Sequence, residues 1–193
     1  IKPIKKPMAQ SSGNLWYQNN SAVVEAVSQI RKSGENSKRD KHTICVMHLE
    51  IIAPIMFAYG EETTMSCTDK IAGILQSELG PDAAVIRVGI EDFIVSCPFK
   101  SAADYKSIIE RAFETFQAYG SNLPGTPIYF AFSAGSSVFS KKTSLQKALN
   151  EAFVALYEAK IQGNFGHCMY TEVPGKMQEY QNEMHMATYF QNC

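Results

Sequence analysis

The sequence predicts one α+β domain built on a central five-stranded mixed sheet flanked by helices. Three observations carry this expectation. Segments with apolar residues at helical spacing alternate with short β-branched runs along 193 residues. Two of the short runs, Ala83 to Val88 and Phe93 to Cys97, are separated only by Gly89-Ile90-Glu91-Asp92, which reads as a β-hairpin. A hairpin inside that order needs antiparallel neighbours, which disfavours a doubly wound parallel sheet.

Taken in order, residues 1–20 are rich in Lys, Pro, Ser and Asn and read as an N-terminal arm or linker. Ser21 to Ser33 carries Val23, Val24, Val27 and Ile30, the apolar stripe of a helix. Gly34 to Lys41 is a polar loop. Thr43 to Ile52 is apolar and β-branched, as in a buried strand. Met65 to Leu79 places Ile71, Ile74, Leu75 and Leu79 at helical spacing, and Gly80-Pro81 stops it. After the hairpin, Ser101 to Asp104 resembles a capping box. It opens a helix with Ile108, Ile109, Ala112, Phe113 and Phe116, which ends at Gly120. Pro127 to Phe139 reads as a strand with a bend or bulge at Gly135. Lys142 to Gln162 is a helix with Gly163 at its C-cap, and Gly166 to Thr171 is the last strand. Met177, Tyr180 and Met184 share one face of a tail helix. The expected boundaries are 1–20 for the arm, 21–172 for the domain and 173–193 for a C-terminal linker helix.

Composition narrows the function classes. Hydrophobic residues make up 45% and charged residues 19%, ordinary for a globular chain. The formal net charge is −1, so no global field points to nucleic acid or membrane. Through Lys41 there are eight Lys or Arg and three Asp or Glu, which reads as a solvated arm and loop. No apolar run reaches the roughly 18 residues of a membrane span, and no signal peptide is visible. Cys45, Cys67, Cys97, Cys168 and Cys193 form no C-x-x-C pair. Reduced thiols in a cytoplasmic protein are expected. His42, His48, His167 and His185 lack zinc-ligand spacing. There is no G-x-S-x-G and no P-loop. The chain starts at Ile1 without Met, and a piece of a larger protein is expected.

Arg87-Val88-Gly89-Ile90-Glu91-Asp92-Phe93 resembles the R-x-G-G-[DE]-E-F hairpin of diguanylate cyclases. Three further segments follow the same family in order. Leu49 to Gly60 sits where the family has D-x-D-x-F-K-x-x-N-D-x-x-G. Phe132-Ser133-Ala134-Gly135 looks like its S-x-G strand. Ala155 to Gly163 resembles A-L-Y-x-A-K-x-x-G. The resemblance covers roughly residues 13–171 and implies the GGDEF fold, related to nucleotidyl cyclases. The family joins two GTP molecules into cyclic dimeric GMP with two Mg²⁺ ions, which need carboxylate ligands.

Against that pattern the chain is similar to a degenerate member. His48 takes the place of the first Asp of D-x-D, and Glu50 takes the second. Imidazole is a poor Mg²⁺ ligand, so no metal site is expected, with Glu50 and Glu91 as weak candidates. Ile90 replaces the second Gly of the signature, where a backbone with φ > 0 or a close nucleotide is expected. Met56 replaces the guanine-reading Asn, and Asn164 the phosphate-binding Arg. Asp82 remains near the family's product site without its Arg. Glu91, Asp92, Lys160 and Asp69 are the candidate nucleotide contacts, and no catalytic residue is expected. His48 reads as a buried or edge histidine. The resemblance implies a cytoplasmic, non-catalytic regulatory domain of bacterial cyclic dimeric GMP signalling. Its partners would be a protein or an adjacent EAL-type phosphodiesterase domain, and a homodimer is compatible with it. The alternative is a GTP-binding allosteric sensor, and less favoured is a residual cyclase.

Overall fold

The structure is a computed structural model. It describes residues 21–36, 40–50, 52–121, 128–140, 144–161 and 166–191, with the side chains of 33–36, 121 and 184–191 excluded. The arm over 1–20, the strand start at Pro127, the helix start at Lys142, Gly163, Asn164 and the side chains of Met184 and His185 lie outside the described residues.

The elements run α1 (Ser21–Asn36), β1 (Lys41–Leu49), α2 (Ile52–Leu79), β2 (Ala84–Arg87), β3 (Asp92–Pro98), α3 (Ala102–Ser121), β4 (Phe132–Ser140), α4 (Leu145–Ile161), β5 (His167–Met169) and α5 (Lys176–Gln191). A short 3₁₀ turn, Tyr170–Glu172, links β5 towards α5. The five strands form one sheet in the order β2-β3-β1-β4-β5. β1 is antiparallel to both β3 and β4, β2 is antiparallel to β3, and β4 is parallel to β5. The sheet is therefore mixed, as expected, and β1 lies at its centre.

Strand periodicity of two sorts the core into two layers. Cys45, Met47 and Leu49 of β1 join Phe93 and Val95 of β3 against Ile71 and Leu75 of α2 and Ile109 and Phe116 of α3. Ile44 and Val46 join Ile94 against Val23, Ala26 and Ile30 of α1 and Leu149, Ala152 and Leu156 of α4. Helices α2 and α3 thus cover one face, and α1 and α4 the other.

Several sequence expectations need correction. The strand expected over Thr43 to Ile52 ends at Leu49, and Ile52 already begins α2. Pro54 sits in that first turn, where a missing N–H costs nothing. Helix α2 is broken at Gly60, with φ 84° and ψ 170°, a conformation open to glycine. Its resumption at Glu61 precedes the expected start at Met65 because Glu61, Glu62 and Thr63 are exposed and show no apolar period. Helix α1 extends to Asn36, into the expected loop. Gly135 makes no bulge: β4 pairs with β1 without interruption from Ser140 to Phe132. Its role is close approach, since a Cβ there would lie 2.0 Å from Leu156 N and 2.2 Å from Ala152 O of α4. The capping box at Ser101 is half formed. Asp104 N donates to Ser101 Oγ at 3.1 Å, but the Asp104 carboxylate accepts from the Ser101 hydroxyl at 2.7 Å. Asp is one methylene shorter than Glu, the residue that usually reaches the backbone N–H.

Candidate functional site

The site forms where β1 ends and its antiparallel neighbours β3 and β4 begin, beside the last turn of α4. β1 register sets His48 opposite Asp92 on β3 and opposite Ser133 on β4. His48 shares the parity of Ile44 and Val46, so it faces the α1 and α4 layer. Glu50 follows two residues later. Its backbone N–H donates to Ala131 O at 2.8 Å, which extends the β1 and β4 pairing past the end of the strand.

These side chains bind one another. His48 Nδ1 donates to Asp92 Oδ1 at 2.8 Å, and His48 Nε2 lies 3.7 Å from Glu50 Oε2. Ser133 Oγ donates to Glu50 Oε1 at 2.9 Å. Lys160, in the last turn of α4, places Nζ 3.4 Å from the same oxygen. The chain Asp92–His48–Glu50–Lys160 therefore alternates acid and base across three elements. The hydrogen bond to Asp92 raises the His48 pKa above its ordinary value, against the opposing effect of burial. Protonated His48 with Lys160 would balance the two carboxylates within the group.

The family chemistry would put Mg²⁺ at this end of the sheet, and the residues present do not fit it. Mg²⁺ takes about six oxygen donors in near-ideal octahedral geometry. Here the Asp92 and Glu50 carboxylates are already engaged by a nitrogen base or a hydroxyl, two of the four members are bases, and Glu91 alone cannot supply the oxygen donors Mg²⁺ needs. Among the described residues, no group of three or more His, Cys, Asp or Glu is arranged to hold a metal ion.

The hairpin tip behaves differently from its motif. Glu91 gives its carbonyl to Leu49 N at 2.8 Å, and Val88 N donates to Asp92 O at 2.9 Å. The Glu91 side chain has no ion pair among the described residues and stays half-buried. Ile90 does not occupy a left-handed backbone: no described residue other than glycine has positive φ. Its side chain packs against the core layer that contains Phe93, which is fully buried. Gly89 has no positive φ either. A β-branched residue is thus accommodated without strain.

Asp69 does not join the group. Arg87 Nη1 donates to Asp69 Oδ1 at 2.9 Å and to Thr68 Oγ1 at 3.1 Å. Arg87 pairs in register with Phe93 and so points to the α2 and α3 face, opposite to His48. Met56 is half-buried on α2, and Phe153 packs at the edge of the α1 and α4 layer. Sequence reading identified Glu50, Asp92 and Lys160 but missed His48 as their hub and Ser133 as a donor. The available signal was the His48-x-Glu50 spacing, which puts both side chains on one face of β1.

The comparisons with known proteins agree with this architecture. The family described as "Diguanylate cyclase, GGDEF domain" matches residues 19–165. No curated protein sequence matches the chain. Among solved structures, the GGDEF domain of YfiN (TpbB) from Pseudomonas aeruginosa is 18% identical with a TM-score of 0.68, over 82% of this chain and 93% of that one. DgcB from Caulobacter crescentus, in complex with c-di-GMP, is 16% identical with a TM-score of 0.63, over 77% and 87%. The diguanylate cyclase SiaD from P. aeruginosa, in complex with its activator SiaC, is 18% identical with a TM-score of 0.65, over 76% and 57%. Likeness at this identity speaks for the fold, and the family match spans most of the sequence, so the chain belongs to the diguanylate cyclase GGDEF-domain family.

Proposed function

We propose that this domain is non-catalytic and serves as a regulatory or protein-binding module of cyclic dimeric GMP signalling, as part of a larger multidomain protein. The observation that carries the reading is the closed acid–base chain Asp92–His48–Glu50–Lys160. Phosphoryl transfer depends on metal ions and free cationic groups that neutralise charge on the triphosphate. In this chain the acids neutralise His48 and Lys160 instead. The test is incubation of the purified chain with GTP and Mg²⁺, with cyclic dimeric GMP read by chromatography. No product above the buffer control is expected. Product that disappears in Asp92→Ala would overturn the reading.

A second reading, a GTP-binding sensor that controls a neighbouring EAL-type phosphodiesterase, draws on two observations. Lys160 keeps 34% of its side chain exposed, and Glu91 has no ion pair among the described residues. Calorimetric titration of GTP with Mg²⁺, with ATP as control, separates the two. Saturable binding selective for guanine that weakens in Lys160→Ala supports the sensor. Heat indistinguishable from dilution at millimolar nucleotide supports the interaction module.

A further inference from the structure

Helix α4 carries a second charged residue whose partners lie away from the site. Glu158 is only 5% exposed, among the most hidden ionisable groups of the described chain. A carboxylate so placed needs donors, because burial without them is strongly unfavourable. Its donors come from the C-terminal helix. Tyr180 Oη donates to Glu158 Oε1, and Lys176 Nζ lies 3.7 Å from the same oxygen. Tyr180 also sets its ring edge-on to Tyr157, with centroids 5.1 Å apart. Lys176 is shared with Glu179 of its own helix at 2.9 Å.

The rest of the contact is thin. Between Lys176 and Glu183 no residue of α5 is buried; Lys176, Met177 and Tyr180 are half-buried and the others are exposed. Among the described side chains of α5, residues 176–183, the seat is therefore one paired carboxylate and one ring pair, and not a buried apolar contact. An element held by few contacts opens at low cost while the rest stays folded.

We propose that α5 is a releasable strap whose docked position is set by Glu158. With the strap seated, Glu158 is paired and Tyr157 is partly covered. Released, the strap uncovers a carboxylate and an aromatic ring on α4, two residues from the Lys160 that closes the acid–base chain. The inference goes beyond the proposed function and holds whether or not the site binds nucleotide.

The test is amide hydrogen exchange read by mass spectrometry on the 193-residue chain, comparing wild type with Tyr180→Phe and Glu158→Gln. Tyr180→Phe keeps the ring and removes the donor; Glu158→Gln keeps the shape and removes the charge. Each variant should speed exchange over residues 176–183 by about tenfold or more, the scale of one lost hydrogen bond to a charged group. Exchange in β1 and β3 should stay as in wild type. Unchanged exchange over 176–183 in both variants would overturn the proposal. So would an equal rise through the sheet, which would make the contact part of the general core.

Discussion

At the scale of single residues, His48 decides the character of the site. It stands between Asp92 and Glu50, and Lys160 closes the group. Replacing it by Asp would leave three carboxylates facing one lysine. His48→Asp should lower the melting temperature by several degrees, the scale of about 1–2 kcal/mol in a chain of this size. Added Mg²⁺ should restore part of that loss, while the wild-type melting temperature stays indifferent to Mg²⁺. Scanning fluorimetry with and without MgCl₂ reads both, and a variant equally blind to Mg²⁺ would refute the expectation. The individual acids and the lysine were legible in the sequence. Their mutual pairing was not, because it depends on the register that sets His48 opposite Asp92, 44 residues away in sequence. Ile90 shows the reverse case. Of the two reasons the motif offers for glycine, a positive φ or a close nucleotide, the first does not hold in this turn, which adopts ordinary φ values while the side chain packs against the core.

At the scale of elements, the sequence was most informative where burial is one-sided. The stripes of α1 and α3 and the hairpin runs had clear periods: Val23, Ile30, Ile109, Ala112 and Phe116 are in the core as expected, although Val24 of the α1 stripe is exposed. Legibility failed between Ile52 and Thr63, where α2 shows little apolar rhythm because it presents Pro54, Phe57, Tyr59, Glu61 and Glu62 outward. It failed also at Gly135, where a local bend was inferred but the cause is a neighbour distant in sequence. Gly135→Ala would drive a Cβ into the backbone of α4. The variant should lose about 3 kcal/mol or more of stability, at the upper end of overpacking costs, measured by urea denaturation. A loss under about 1 kcal/mol would mean that α4 moves away easily.

At the scale of the whole molecule, two histidines set opposing pH responses. His167 lies 2.8 Å from Ser136 Oγ and edge-on to Tyr105, and burial lowers its pKa from 6.5 to about 4. The unfolded chain then takes up a proton that the folded chain refuses. Its contribution is complete above about pH 6.5 and is lost as pH falls towards 4. His48, with its raised pKa, works in the other direction: its contribution is complete below the unfolded value and is lost as pH rises through the folded one. Acidification from pH 7 to about 4.5 should therefore cost the wild type less stability than His48→Gln and more than His167→Gln. The His167 share is on the order of 2 kcal/mol. Denaturant midpoints at both pH values check the order. Among the described residues no helix is long and apolar enough to cross a membrane. The contact at Gly135 has a mechanical meaning for the whole. At Gly135, helix α4 meets β4 backbone to backbone, with no side chain between them at that point. The helix is keyed to the sheet like a part seated in a slot: it can tilt with the sheet but cannot slide along it. A displacement at Glu158 and Lys160, which share the last turn of α4, thus reaches Leu145 at the other end of the helix as rigid-body motion.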